Sequence, residues 1–245
     1  MTKLSVNVNK IALLRNSREG DFPNVLEFSH QALELGVDGI TVHPRPDGRH
    51  IRYEDVAELK LLVECYPEKE FNIEGYPSTD FLELVCDIQP DQVTFVPDPP
   101  DALTSSFGWD VTQDFELIST AIAHVHEKNI RSSLFIDTTC DAWDQLKATK
   151  TDRVELYTGP YAEDSLHYPD NLENAVQPYT SLAKTICDLG IQLNAGHDLN
   201  LDNLTFFLKN VPNIQEVSIG HALVCDALHY GWKETIKRYL QSVNF

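Results

Sequence analysis

Eight short β-rich runs separated by helical runs restrict most strongly what this chain can fold into. The strand candidates are Leu4–Val8, Gly39–His43, Glu70–Glu74, Gln92–Val96, Arg131–Ile136, Arg153–Tyr157, Ile191–Asn194 and Glu216–Ile219. Strands that alternate with helices pair in parallel, because each helix returns the chain to the same edge of the sheet. Between the strands, apolar residues recur at helical spacing, as in Val25, Phe28, Ala32 and Leu35, in Phe115, Ile118, Ile122 and Val125, and in Tyr179, Leu182, Ile186 and Leu189. Each set forms one apolar stripe for packing on a sheet. Gly36, Asn129 and Gly190 stand where these helices must stop, and the two glycines suit a left-handed cap. Eight such units predict an α/β chain folded as a (β/α)8 TIM barrel, with residues 1–245 forming a single domain.

Composition removes several classes of function. With 245 residues, 42% of them hydrophobic, the chain can bury one sizeable core. A formal charge of −19 opposes binding to a nucleic-acid backbone, which needs a basic surface. No run approaches the roughly 18 apolar residues of a membrane span, and Met1 to Ser5 lead into a strand pattern rather than a signal peptide. A cytoplasmic protein without nucleic-acid or membrane partners is the expectation. The five cysteines are widely spaced with no C-x-x-C pair, which predicts buried, unpaired thiols.

In a barrel of this kind the C-terminal ends of the strands form the site, so polar residues there carry the functional argument. Two successive strands end in Gly-His, at Gly196-His197 and Gly220-His221. A glycine lets backbone amides approach an anion, and a histidine moves protons near neutral pH. Asn7 and Asn9 end the first strand, His43 and Arg45 the second, Asn72 and Glu74 the third; Asp98 and Thr104 follow the fourth and Asp137 closes the fifth. Glu155 sits within the sixth, where an inward carboxylate needs either a substrate cation or a salt bridge. Glu74 beside His43 suits a base whose pKa is raised by burial, and pairing with Arg45 is the alternative.

Lys10, Arg15, Arg18, Arg45 and Arg49 fall in or beside the first two strand-end loops, a placement that points to phosphate or carboxylate binding. The second loop, Thr41 to His50, adds His50 and a Pro-Asp-Gly turn that can fold it over the mouth. Pro97 to Asp110 and Gly159 to Gln177 are longer than ordinary connections and read as lid candidates, with Pro178 in the first turn of the helix that follows. A metal-dependent hydrolase is disfavoured: no H-x-H ends a strand, and His124 and His126 fall on different faces of a helix. A barrel that binds a phosphorylated metabolite without turnover is the other alternative.

In order along the chain, V-N-x-N-K-I-A-x-L-R-N-S-R from Val6, G-I-T-V-H-x-R-x-D-x-R-H-I from Gly39, N-I-E from Asn72, F-V-P-D from Phe95, S-L-F-I-D from Ser133, V-E-L-Y-T-G-x-Y-A from Val154, L-N-A-G-H from Leu193 and V-S-I-G-H-A from Val217 resemble the pyridoxine 5′-phosphate synthases. The resemblance spans essentially the whole chain. It implies a homo-octameric barrel that condenses 3-amino-2-oxopropyl phosphate with 1-deoxy-D-xylulose 5-phosphate, without metal or organic cofactor. By motif, His43 and Glu74 would accept protons, His197 would donate one, and Glu155 would stabilise cationic intermediates. Asn7 and Arg18 would contact the amino-ketone phosphate, and Arg45, His50 and Thr104 the sugar phosphate. Gly220 and His221 would cradle a phosphate after the eighth strand. The chain departs from the family's usual residues at Asn9-Lys10, where Asp-His is commonest, at Asp198, where Gly is, and at Cys225-Asp226, where Gly-Arg is. Asn9, Lys10 and Asp198 are expected to contact substrate in their own way, and Asp226 would add repulsion near the strand-eight phosphate unless its side chain points away or Lys10 compensates.

Overall fold

The alternation closes into a barrel. In the computed structural model, which describes residues 1–99, 102 and 104–245, parallel strands run β1 (Lys3–Asn7), β2 (Gly39–Val42), β3 (Glu70–Gly75), β4 (Gln92–Phe95), β5 (Arg131–Ile136), β6 (Arg153–Tyr157), β7 (Gln192–His197) and β8 (Ile214–Ile219). They neighbour one another in sequence order and β8 pairs with β1, closing the sheet. The predicted (β/α)8 barrel is what forms, with strand boundaries shifted by no more than three residues.

The helices are α1 (Asn9–Asn16), α2 (Val25–Glu34), α3 (Tyr53–Glu64), α4 (Thr79–Ile88), α5 (Phe115–His126), α6 (Trp143–Ala148), α7 (Gly159–His167), α8 (Leu172–Asp188), α9 (Leu204–Asn210), α10 (His221–Tyr230) and α11 (Trp232–Val243). The stops after α2, α5 and α8 fall at Gly36 (φ +101°), Asn129 (φ +59°) and Gly190 (φ +83°), left-handed positions that end a helix before the next strand. Two expectations fail here. The segment from Gly159 to Gln177 is α7, a 3₁₀ turn at Pro169–Asn171 and the start of α8, rather than a long loop. Pro178 accordingly lies inside α8 and not in its first turn. The other lid candidate, Pro97 to Asp110, has no helix or strand among its described residues; Pro100, Asp101 and Leu103 lie outside them.

Period-two alternation along the strands sorts apolar from polar side chains in an instructive direction. Leu4, Val6, Ile40, Val42, Phe71, Ile73, Val93, Phe95, Val154, Leu156, Val217 and Ile219 are wholly buried and join the helix stripes in one core. Each such side chain contributes roughly 1.5–3 kcal/mol of burial. The residues between them are polar and fill the barrel itself. Ser5 Oγ lies 2.7 Å from Thr41 Oγ1, Asn72 Nδ2 donates to Thr41 Oγ1 (3.4 Å), and Thr94 Oγ1 donates to Asn72 Oδ1 (3.2 Å). Below this ring, Arg131 Nε and Arg153 Nη1 both donate to Gln92 Oε1 at 3.0 Å, while Glu70 bridges Lys3 and Arg131. The floor is a polar network in which the charged groups find partners while Gln92 Nε2 is buried without one, and the core that holds the fold together lies outside the barrel.

Candidate active site

At the opposite end the strands open onto a cavity of about 440 Å³. All four residues expected to move or stabilise charge reach its wall: His43 just past β2, Glu74 on β3, Glu155 on β6 and His197 at the end of β7. Asn7, Asn9, Lys10, Arg45, His50, Thr104, Asp198, Gly220 and His221 line it as well. Arg18 does not; it is exposed beyond the C-terminal end of α1. The stretch after β1 is that helix rather than a loop, and it turns Arg15 away from any anion too. Arg15 is buried and grips Asp55 with both terminal nitrogens, at 2.6 and 2.8 Å.

A hydrogen-bonded chain ties the first three strand ends together. Asn7 Oδ1 accepts from the Asn9 N–H (3.0 Å), Asn9 Oδ1 accepts from the His43 N–H (2.9 Å), and Asn7 Nδ2 donates to Glu74 Oε2 (3.3 Å). His43 Nδ1 lies 3.9 Å from that same carboxyl oxygen. Arg45 does not pair with Glu74: its guanidinium is committed to Asp98 at 2.6 Å, and Ser105 Oγ donates to the same Asp98 oxygen at 2.7 Å. The His50 ring is buried, and its Nδ1 accepts from the Ile51 N–H at 2.9 Å.

These surroundings divide the titratable groups. Burial, reinforced by the charge of Asp98 and only partly offset by Arg45, pushes the Glu74 carboxyl up to about 8. Glu155, also fully buried and facing Glu74 and Glu216, is raised well above the usual carboxyl range. No cation lies within ion-pair distance of Glu155 among the described residues, so the salt-bridge alternative does not hold. Burial and the positive charge of Arg45 depress both histidines, His43 well below its ordinary value and His50 to about 4. At neutral pH the His43–Glu74 pair thus carries its proton on the carboxyl, leaving the imidazole neutral and able to accept one.

The glycines act differently from expectation at one position. A Cβ at Gly196 would stand 2.6 Å from Glu155 Oε1 and 2.8 Å from the Ser218 carbonyl oxygen. Gly196 therefore makes room for a buried carboxylate. Gly220 leads into α10, whose first turn opens on the cavity beside that of α1 with Lys10. Two helix N-termini and a lysine give this wall positive character suited to an anion.

Of the readings open for Asp226, the one in which its side chain points away from the phosphate wall holds. Its carboxylate accepts from Tyr239 Oη at 2.7 Å on α11, and the side chain is absent from the cavity wall. The thiols are also less buried than expected: Cys65 is exposed and the other four are partly so. Asp137 holds a turn, accepting from the Gly108 and Thr139 amides. Val96, Ser105, Phe135, Tyr157 and Ser218 join the wall without having been singled out from the sequence. Tyr157 and Ser218 share strand parity with Glu155 and Gly220 and were readable on that basis; Ser105 sits in a loop with no periodic signal.

The fold and the cavity together define a (β/α)8 barrel whose mouth combines an anion-attracting wall with buried acid and base groups. The chain belongs to the family described as pyridoxal phosphate biosynthesis protein PdxJ, which matches residues 4–244. It is 50% identical over 244 residues to the pyridoxine 5′-phosphate synthase of Parabacteroides distasonis, covering 100% of both chains. It is 51% identical over 239 residues to that of Bacteroides thetaiotaomicron, covering 98% of each. Solved structures at low identity share the fold. Thiamine phosphate pyrophosphorylase from Pyrococcus furiosus has a TM-score of 0.60 at 15% identity, covering 99% of this chain and 95% of its own. Tryptophan synthase from M. tuberculosis has a TM-score of 0.64 at 12% identity, covering 100% and 94%.

Proposed function

We propose that the chain is a pyridoxine 5′-phosphate synthase, joining 3-amino-2-oxopropyl phosphate to 1-deoxy-D-xylulose 5-phosphate to give pyridoxine 5′-phosphate, inorganic phosphate and water. Full-length identity of about half to relatives of that name carries this reading. The cavity supports it with residue types matched to the chemistry. In this scheme the wall built from α1, Gly220 and His221 holds one phosphate, and Arg45, His50 and Thr104 hold the other. Fixing two reactants in register replaces a bimolecular encounter and lowers the barrier by several kcal/mol, on the order of the intramolecular effect.

Amine attack on a ketone needs a neutral nitrogen, and the steps that follow are dehydration, phosphate loss and aromatising proton shifts. Neutral His43 accepts the first proton. Glu74 becomes an acceptor once a cationic amine or imine lies beside it, because that charge draws its proton off. Glu155, raised well above the usual carboxyl range by burial and without a cation of its own, gives up its proton to become a counter-charge only as the same cationic intermediates form beside it. His197 returns a proton to the departing oxygen. The scheme uses no metal or organic cofactor.

The assembly in this reading is a homo-octamer in the cytoplasm. Leu13, Leu14, Phe22 and Leu228 are exposed on the single chain and supply apolar surface for self-association. Light scattering should return eight times the 27.7 kDa chain mass. To test the activity, purified protein is mixed with both substrates, and phosphate release and pyridoxine 5′-phosphate formation are followed by mass, with His43→Ala as control. Equal yields of the two products, lost in the control, are expected. Tight binding of either phosphate without product would instead identify a metabolite-binding barrel.

A further inference from the structure

His197 is held in an unusual way. Its backbone lies at φ +83°, a region that residues bearing a Cβ rarely adopt. Tyr157 meets the ring edge-on, centroids 5.3 Å apart at 84°, and Phe135 lies at 6.4 Å. These contacts fix the plane of the imidazole but do not distinguish its two nitrogens. Hydrogen bonds do: Asp198 Oδ2 is 2.6 Å from Nδ1, and Thr104 Oγ1 is 2.8 Å from Nε2.

A carboxylate only accepts, whereas a hydroxyl accepts or donates. Burial pushes the Asp198 carboxyl up, but the His197 hydrogen bond, together with the charges of His221 and Lys10, outweighs it and holds the group below its usual range. Asp198 is thus ionised at neutral pH, and Nδ1 must carry the hydrogen it receives. Nε2 is left as a lone pair facing the Thr104 hydroxyl, or as a second N–H when the ring is protonated. Thr104 adapts to both states by rotating its hydroxyl, and Asp198 is unaffected by either.

We propose that Asp198 is a positioning residue whose carboxylate locks His197 in the Nδ1–H tautomer, so that Nε2 alone exchanges the proton with substrate. The inference rests on the assignment of His197 as the proton donor. It replaces the expectation that the Asp198 side chain contacts substrate. Each role leaves a different kinetic trace: a substrate contact made equally in ground and transition states appears in KM, and a tautomer lock appears in kcat.

The experiment uses Asp198→Gly and Asp198→Asn in the full chain; the side chain is 40% exposed, so neither change opens the core. Both variants are expected to lose kcat about 10- to 100-fold while KM for each substrate stays within about twofold. In parallel, solid-state nitrogen NMR of ring-labelled protein, with His197→Gln to assign the signal, is expected to show Nδ1–H in the native chain. A mixture of tautomers is expected in Asp198→Gly. An unchanged tautomer in Asp198→Gly overturns the proposal, as does a loss confined to KM. Full activity in His197→Gln would overturn the donor assignment instead, and the NMR result would still decide whether Asp198 sets the tautomer.

Discussion

Glu70 and Glu74 lie four residues apart on the same strand and face the same barrel interior, yet they are opposite in character. Burial pushes Glu70 up, but hydrogen bonding to Lys3 and the nearby charge of Arg131 more than cancel it, leaving that carboxyl below its ordinary value. Glu74, with Arg45 already taken by Asp98, is pushed up to about 8. Around Glu70 the floor of the barrel matches buried charges to one another, and the mouth leaves two carboxyls, Glu74 and Glu155, without a cation. Polar residues inside a barrel are therefore no mark of a site by themselves. A buried charge left without its partner is, because only an incoming ligand or a proton can complete it.

The sharpest way to break this comparison is to exchange one carboxyl for an amide at each level. Glu74→Gln should lower kcat by roughly 10²- to 10⁴-fold, the usual weight of a positioned acid or base, while leaving thermal stability equal or improved. Glu70→Gln should do the reverse, costing about 2 kcal/mol in denaturant unfolding with kcat within about twofold. Equal kinetic losses from both would remove the distinction between floor and mouth.

Arg45→Met tests whether a matched buried pair in the mouth behaves like the floor. Asp98 would be stranded with 3% exposure and no cation, a loss of about 3–5 kcal/mol in urea unfolding. A loss below about 1 kcal/mol would mean that Asp98 simply takes up a proton when Arg45 goes.

The pH dependence sharpens the same point. Folded Glu74 keeps its proton to about 8, whereas the unfolded group releases it near its ordinary 4.5. Between these values the folded chain binds more protons, so each step to higher pH weakens it until Glu74 has ionised. Glu216, raised to about 7 mainly by burial, adds to the same trend. His43 and His50 act in the other direction, drawing down stability as pH falls below 6.5 because their folded forms resist protonation. Tm should therefore decline from pH 6.5 to 8.5, and decline less in Glu74→Gln; an identical slope in the variant would assign the effect elsewhere.

The smallest effect is expected at Asp226→Asn, about 1 kcal/mol from weakening one hydrogen bond to Tyr239, with substrate KM unchanged. A marked drop in KM would return Asp226 to the phosphate site.

Much of this is legible in the order of residues. Eight β-rich runs and their intervening stripes predict the barrel, and the polar strand ends bring His43, Glu74 and His197, among others, to its mouth with Glu155 inside the sixth strand, while the grouping of these four by role is what the resemblance implies. The barrel and the strand ends follow from local rules: side chains alternate along a strand and recur by turns along a helix, so the pattern is written in the order of residues. Pro178 misled because proline is common at helix starts, and no local signal shows that α8 had begun at Leu172. Arg15 and Arg18 misled for a related reason, since a basic residue after a strand looks the same whether a loop or a helix carries it.

What the order of residues could not settle was pairing. Arg45 chooses Asp98, Arg15 chooses Asp55, Asp226 turns to Tyr239, and Asp198 reaches the imidazole beside it. The first three partners are 53, 40 and 13 residues distant in the chain, and each choice decides whether a charge is spent on structure or left for chemistry. The sequence alone determined which groups arrive at the mouth. Closure of the barrel decided which of them are matched, because a buried charge takes its character from its neighbours in space.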